Sequence, residues 1–149
     1  EGNGWSYKYA RRQWNLVDNK ELCFHFLGDF DKKMLKLIKS EKHFGESQVV
    51  EIWHNDEDQI LAFMRKDLLF IYNFNPTKSF EGYGFQVPEG RYNVVLNTDA
   101  REFGGYSLAD DSVEHITLFD KELHEYGTGW MKIYIPARSA VVLRHSETK

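Results

Sequence analysis

The sequence predicts a mainly-β protein: an antiparallel β-sandwich preceded by two helices. After Gly45, eight short apolar runs are separated by polar or glycine-containing turns, and no helical period intervenes, a pattern typical of antiparallel sandwiches. Before Gly45, apolar residues recur at spacings of three and four, which indicates amphipathic helices.

Two helices are predicted in the first part of the chain. Ser6 can cap a first helix that runs to Val17. A second helix is expected over 19–40, because Asp18 and Glu21 have the spacing of a capping box. Its apolar stripe comprises Leu27, Phe30, Met34, Leu37 and Ile38. Such a stripe needs a larger body to pack on.

The eight predicted strands follow one another along the second part of the chain. They are 49–53, 60–64, 68–72, 82–87, 91–96, 115–119, 130–135 and 140–145. Residues 65–67 predict a hairpin between the second and third strands, and Pro88-Glu89-Gly90 predicts a turn before the fifth.

The charge distribution supports a division of the chain near Gly45. Residues 1–45 carry nine Lys/Arg and six Asp/Glu, whereas residues 46–149 carry ten and seventeen. We therefore expect two structural units, 1–45 and 46–149. The overall net charge of −4 provides no basic footprint, so neither nucleic acid nor a membrane surface is an expected partner.

Composition predicts a folded domain that needs no disulfide. Of the 149 residues, 42% are hydrophobic, enough for a sizeable core, and the lone Cys23 cannot form an internal disulfide. Cys23 is expected to be a small buried hydrophobe. Without a predicted leader or membrane span, the expected location is cytoplasmic. Glu1 in place of a methionine suggests a chain cut from something longer.

No catalytic or metal-binding motif is recognisable. The six histidines never stand at His-x-x-x-His spacing, and one cysteine cannot make a zinc framework. The acidic run 56–58 lacks the glycine and distal glutamate of a calcium loop, so it and Asp110-Asp111 are interpreted as solvated turns. The glycine-rich stretches predict turns or bulges. We expect no metal and no cofactor.

Separated stretches of the chain resemble, in the same order, the C-terminal part of 1,4-α-glucan (glycogen) branching enzymes. They are EGNGWSY (1–7), ARRQWNLVD (10–18), the helical segment 24–34, FIYNFNPTKSF (70–80), GRY (90–92), NTDA (97–100), FGG (103–105) and YIPARSA (134–140). Together they cover nearly the whole chain.

This resemblance implies a family-13 glycoside hydrolase with a catalytic (β/α)₈ barrel and a C-terminal all-β domain of the alpha-amylase type. Such enzymes cleave an α-1,4 link by a retaining mechanism and pass the glucan to a sugar 6-hydroxyl. The catalytic carboxylates are expected upstream of Glu1, so the chain would hold the last barrel helices and the all-β domain and be inactive alone. The implied partners are α-glucan, such as glycogen or amylose, and the parent's own barrel.

The resemblance also suggests glucan-cleft contacts near the start of the chain. Trp5, Tyr7, Arg11 and Arg12 follow the barrel's last active-site loops in the family's chain order. The alternative is that Trp14 and the two arginines simply anchor the helix to the barrel.

Two roles remain open for the sandwich: structural support for the barrel, or a glucan-binding surface. Tyr83 and Tyr106 lie beside glycines and are the candidates for exposed glucan contacts. Trp53 and Trp130 could also stack on a sugar, but as strand aromatics they are expected in the core.

Overall fold

Eight antiparallel strands dominate the computed structural model, which describes residues 13–147. They are β1 (Val49–Asn55), β2 (Ile60–Arg65), β3 (Leu68–Asn73), β4 (Phe80–Pro88), β5 (Arg91–Asn97), β6 (Glu114–Ile116), β7 (Thr128–Ile135) and β8 (Ser139–Ser146). Each overlaps one of the predicted strands, so the predicted mainly-β antiparallel fold is confirmed.

The strands form two sheets of unequal size. Six make one sheet in the order β1-β2-β3-β8-β5-β6, and β4 pairs with β7 in the other. The predicted hairpin joins β2 to β3, with Arg65 facing Leu68 across a two-residue turn. A bulge interrupts β1 between Glu51 and Trp53.

The main core lies between the two sheets, and strand alternation builds it. In β7, Met131 and Ile133 are buried, whereas Trp130 and Lys132 point away from the core. The other buried members are Ile60, Ala62, Met64, Leu69, Ile71, Phe80, Phe85, Val87, Tyr92, Ile135, Val141 and Leu143. In β7, buried residues thus alternate with residues that face away from the core.

A helix, α2 (Phe24–Ser40), packs on the opposite face of the six-stranded sheet. Its residues Phe30, Met34 and Leu37 contact a second core cluster of Leu68, Leu96 and Val142. These contacts confirm the predicted amphipathic stripe for those three positions. Leu27, predicted on the same stripe, is 65% exposed.

The start of α2 differs from the prediction. The helix begins at Phe24, not at residue 19, and Cys23 at its N-cap makes no side-chain capping bond. The side chain of Asn19 instead accepts a hydrogen bond from the Glu21 N–H (3.0 Å). This local turn competes with helix formation, so the predicted capping box of Asp18 and Glu21 is wrong.

Two further helices are one turn long. The helix α1 (Asn15–Asp18) contains the end of the first predicted helix, whose earlier residues lie outside the described part of the chain. The helix α3 (Lys121–His124) separates β6 from β7, so the expectation of strands without an intervening helix is wrong there. Asp120 caps it by accepting hydrogen bonds from the Glu122 and Leu123 N–H groups.

Candidate functional site

The predicted cleft residues Trp5, Tyr7, Arg11 and Arg12 lie outside the described residues, and their role stays a prediction. Within 13–147, no group of three or more His, Cys, Asp or Glu side chains is arranged to hold a metal ion. No helix in that range is long and apolar enough to cross a membrane. Cys23 is exposed rather than buried, because it stands at the solvent-facing start of α2.

Tyr83 belongs to a hydrogen-bonded cluster at the edge of the small sheet. It lies within β4, just after a bulge at which Gly82 has a φ of 61°. Its hydroxyl donates to Asp58 Oδ2 (3.2 Å) and accepts from Trp53 Nε1 (3.3 Å). Burial raises the pKa of the Tyr83 hydroxyl. The position of Tyr83 beside glycines predicted an exposed ring, but the ring is half-buried. Less of its surface is therefore available to contact a sugar.

Lys78 completes this edge cluster. Its ammonium is 2.8 Å from Asp58 Oδ1 and lies 4.5 Å from the centre of the Phe80 ring. The hydrogen bond from Lys78 holds the pKa of Asp58 below its usual value. The carboxylate is therefore already compensated and serves to fix Tyr83 and the edge of the sandwich.

Tyr106 lies on an exposed loop that Asp99 organises. The Tyr106 and Leu108 N–H groups donate to the two carboxylate oxygens of Asp99 (2.9 and 2.8 Å). A Cβ at Gly105 would lie 2.2 Å from the Asp99 carbonyl oxygen, so this close approach requires glycine. The Tyr106 side chain is 76% exposed and accessible, as a surface contact requires.

The two strand tryptophans are not core residues, contrary to expectation. Trp53 is 38% exposed and Trp130 39% exposed. Trp130 lies on the face of β7 that points away from the core, and its Nε1 is only 2.5 Å from where a Cβ on Gly84 would be. Glycine at position 84 therefore makes room for the indole on the outer surface of the small sheet.

A pocket of about 260 Å³ lies between the strands and the segment that joins β5 to β6. Val94, Ile133 and Val141 line it from the strands, and residues 108–111 and 113 line it from the segment. Buried Asn97 reaches it, and its amide donates to Asp111 Oδ1 (2.7 Å). Interpretation of Asp110-Asp111 as a simple solvated turn missed this pairing, which depends on a fold that brings positions 97 and 111 together.

A ladder of aromatic rings covers the outer face of the six-stranded sheet beside α2. Phe63 stacks on Phe70 and Tyr72 at centroid distances of 4.9 and 5.9 Å, and Tyr72 stacks on Phe74 at 5.6 Å. Phe74 is 61% exposed. We call these four residues the aromatic ladder.

Comparison with known proteins identifies the family. Residues 52–146 match the family described as alpha amylase, C-terminal all-beta domain. The chain is 37% identical over 97% of its length to a 1,4-alpha-glucan-branching enzyme of Rhizophagus irregularis, of which it covers 21%. It is 40% identical, again over 97% of its length, to that of Saccharomyces cerevisiae, of which it covers 20%. The potato enzyme, from Solanum tuberosum, is 39% identical over 78% of the chain, which covers 14% of that protein.

These comparisons confirm the resemblance found in the sequence. The chain spans about a fifth of the length of the first two relatives. Together with two antiparallel sheets that enclose one core, the match over residues 52–146 establishes that the chain belongs to the alpha-amylase C-terminal all-beta domain family.

Proposed function

We propose that this chain is the C-terminal part of a cytoplasmic 1,4-α-glucan branching enzyme of glycogen synthesis. The parent cleaves an α-1,4 link and transfers the released chain to a 6-hydroxyl, and its catalytic carboxylates lie outside this chain. The observation that carries the proposal is the 37–40% identity to branching enzymes over 97% of the chain. The chain by itself supports the barrel and does no chemistry.

The aromatic ladder is the surface that we assign to the barrel. It lies on the same sheet face as α2, a helix that the sequence resemblance places at the end of the barrel. Phe63, Tyr72 and Phe74 extend this apolar face, and burial of such rings stabilises an interface by excluding water. The relatives are about five times as long as the chain. The resemblance implies that this additional length includes a catalytic barrel, and we propose that the barrel covers the aromatic ladder.

A substitution in the ladder tests this structural role in the full-length parent. Phe74→Ser should shorten the half-life of activity at elevated temperature several-fold, because the proposed contact with the barrel would bury this exposed ring and loss of a buried phenylalanine costs about 3 kcal/mol. Specific activity before heating should be unchanged. Tyr126→Ser is the matched control, since Tyr126 is 81% exposed on the turn before β7. Equal half-lives for the two variants would show that the aromatic ladder does not contact the barrel.

We keep Trp5, Tyr7, Arg11 and Arg12 as proposed contacts of the parent's glucan cleft. If they contact glucan, Trp5→Ala and Arg12→Ala should each lower branching activity about tenfold or more, with little change in thermal stability. Iodine staining of amylose and calorimetry of the same preparations provide the two readouts. Parallel losses of activity and stability would instead support anchoring of the helix to the barrel.

A second candidate function is non-catalytic binding of glucan by the sandwich. The exposure of Trp130 favours it, because an accessible indole on the outer face of the small sheet offers an apolar surface to a sugar ring. Tyr106 and Tyr83 remain the other proposed contacts. Calorimetric titration with maltoheptaose tests this function: Trp130→Ala should weaken binding, and unchanged affinity would oppose it.

A further inference from the structure

The pocket under segment 108–113 combines an apolar floor with a polar rim. Val94, Ile133 and Val141 belong to the edge of the main core and form the floor. At about 260 Å³ the pocket is smaller than the roughly 300–1,000 Å³ of sites for drug-sized molecules. Its size therefore suits a single ring rather than an extended ligand.

The rim carries acceptors that are already balanced by hydrogen bonds. Asp110 accepts from the Ser112 N–H (2.9 Å) and from its hydroxyl (2.6 Å), and these bonds hold the pKa of Asp110 below its usual value. Asp111 accepts from the amide of buried Asn97. Both carboxylates retain further lone pairs for hydroxyl donors without requiring a cation.

His115 adds a neutral group to the same pocket. Burial lowers the pKa of its imidazole more than a hydrogen bond with the Lys132 backbone raises it, so the ring is neutral at neutral pH. The Lys132 backbone engages one ring nitrogen, which leaves the other for a ligand. Tyr134 contributes a phenol that can also donate or accept. A ligand with several hydroxyl groups and an apolar C–H face matches this set, whereas an anion would meet two carboxylates.

We propose that the pocket binds the terminal glucosyl unit of an α-glucan chain, a proposal that rests on the parent enzyme's action on α-glucan. The remainder of the glucan chain leaves the pocket past Tyr134. Tyr134 shares the outward face of β7 with Trp130, four positions and roughly 13 Å away along the strand. A longer glucan reaches Trp130, and a short one occupies the pocket alone.

Calorimetric titrations of the full 149-residue chain test the pocket with three probes: maltotriose, maltoheptaose and β-cyclodextrin, which has no chain end. Maltotriose should bind, and β-cyclodextrin should bind at least about tenfold more weakly. Ala109→Trp, which fills the pocket, and Asp111→Asn, which preserves its shape, should each weaken maltotriose about tenfold. Asp56→Asn, in the acidic turn between β1 and β2, is the matched control and should leave affinity unchanged. Trp130→Ala should lower the affinity for maltoheptaose and leave the affinity for maltotriose unchanged.

The outcomes separate this inference from the proposed functions. Equal binding of maltotriose by the original chain and both pocket variants would overturn the pocket but leave glucan binding at Trp130 intact. Absence of saccharide binding, in a chain whose full-length parent still branches amylose, would overturn the pocket and spare the parent's activity. Saturation by n-butylammonium but not by maltotriose would reassign the pocket to a cation. Circular dichroism establishes that the variants are folded.

Discussion

At the residue scale, buried polar side chains are paired with backbone carbonyl groups, both nearby and distant in sequence. Asn73 is 2% exposed, and its amide lies within hydrogen-bond distance of the Lys78, Ile135 and Pro136 carbonyl oxygens. Tyr92 is fully buried, and its hydroxyl donates to the Pro88 carbonyl oxygen (2.7 Å). Among the described residues, no buried side-chain nitrogen or oxygen lacks a partner, so the core avoids the cost of unsatisfied polar groups.

Tyr92 should make stability fall in alkaline solution. Burial raises the pKa of its hydroxyl above the ordinary value of about 10, so the unfolded chain loses the proton first. The stabilisation is therefore complete below about pH 10 and is lost as the pH rises toward the folded-state pKa. Urea unfolding should show that Tyr92→Phe costs about 1 kcal/mol at pH 7, and that the variant loses less stability than the original chain between pH 7 and 11. Tyr126→Phe, at an exposed site, should retain the original slope.

At the scale of elements, α2 is fixed to the sheet by charge as well as by apolar contacts. Arg144 on β8 lies 2.5 Å from Glu41, the residue after the helix, whose side chain is only 8% exposed. Lys33 of α2 also pairs with Glu102, which follows β5. In the Arg144–Glu41 pair, the carboxylate is largely buried and the guanidinium is not. Loss of Arg144 and loss of Glu41 should therefore change the free energy of unfolding by different amounts.

The two members of this ion pair should differ in the cost of their loss. Arg144→Met should destabilise the chain by about 3 kcal/mol, because it leaves a buried carboxylate uncompensated. Glu41→Gln should cost less, since the Arg144 side chain is 40% exposed and water can solvate it. Chemical denaturation of both variants at pH 7 measures the difference. Equal costs would show that the carboxylate finds another donor.

The strands could be predicted from sequence, whereas the surface features could not. Short apolar runs such as 68–72 indicate strands, and turn sequences such as Pro88-Glu89-Gly90 indicate where strands end. Whether Trp130 faces the core or solvent depends on strand register and on the space that Gly84 of β4 leaves beside the indole, which no local pattern reveals. The partnership of Asn97 with Asp111 likewise depends on how a long loop returns to the sheet.

At the scale of the whole molecule, two surfaces of the sandwich have different characters. The six-stranded sheet carries α2 and the aromatic ladder on its outer face, whereas the small sheet presents Trp130 and polar residues outward. This asymmetry supports the two proposals made above, that the six-stranded sheet packs on the parent's barrel and that the small sheet contacts glucan. We retain as a proposal the division of the chain into 1–45 and 46–149.

Hydrogen exchange should distinguish the two proposed units. Amides within 60–74 and 130–144 should exchange slowest, because these strands carry fully buried residues. Amides of α2 should exchange faster, since none of its residues is fully buried. Mass spectrometry of a demonstrated monomer provides the measurement. Comparable protection of 24–40 and the strands would show a single cooperative unit and end the division at Gly45.

The irregularity of β1 and the shortness of β6 have a consequence for solubility. They are the two borders of the six-stranded sheet, where unpaired backbone groups can template the addition of a foreign strand. A bulge and the hydrogen-bonded polar pair of Glu51 and His54 interrupt the first border, and the second is only three residues long. Neither border offers a long flat template for amyloid-like growth, so the sheet is protected against aggregation at both of its ends.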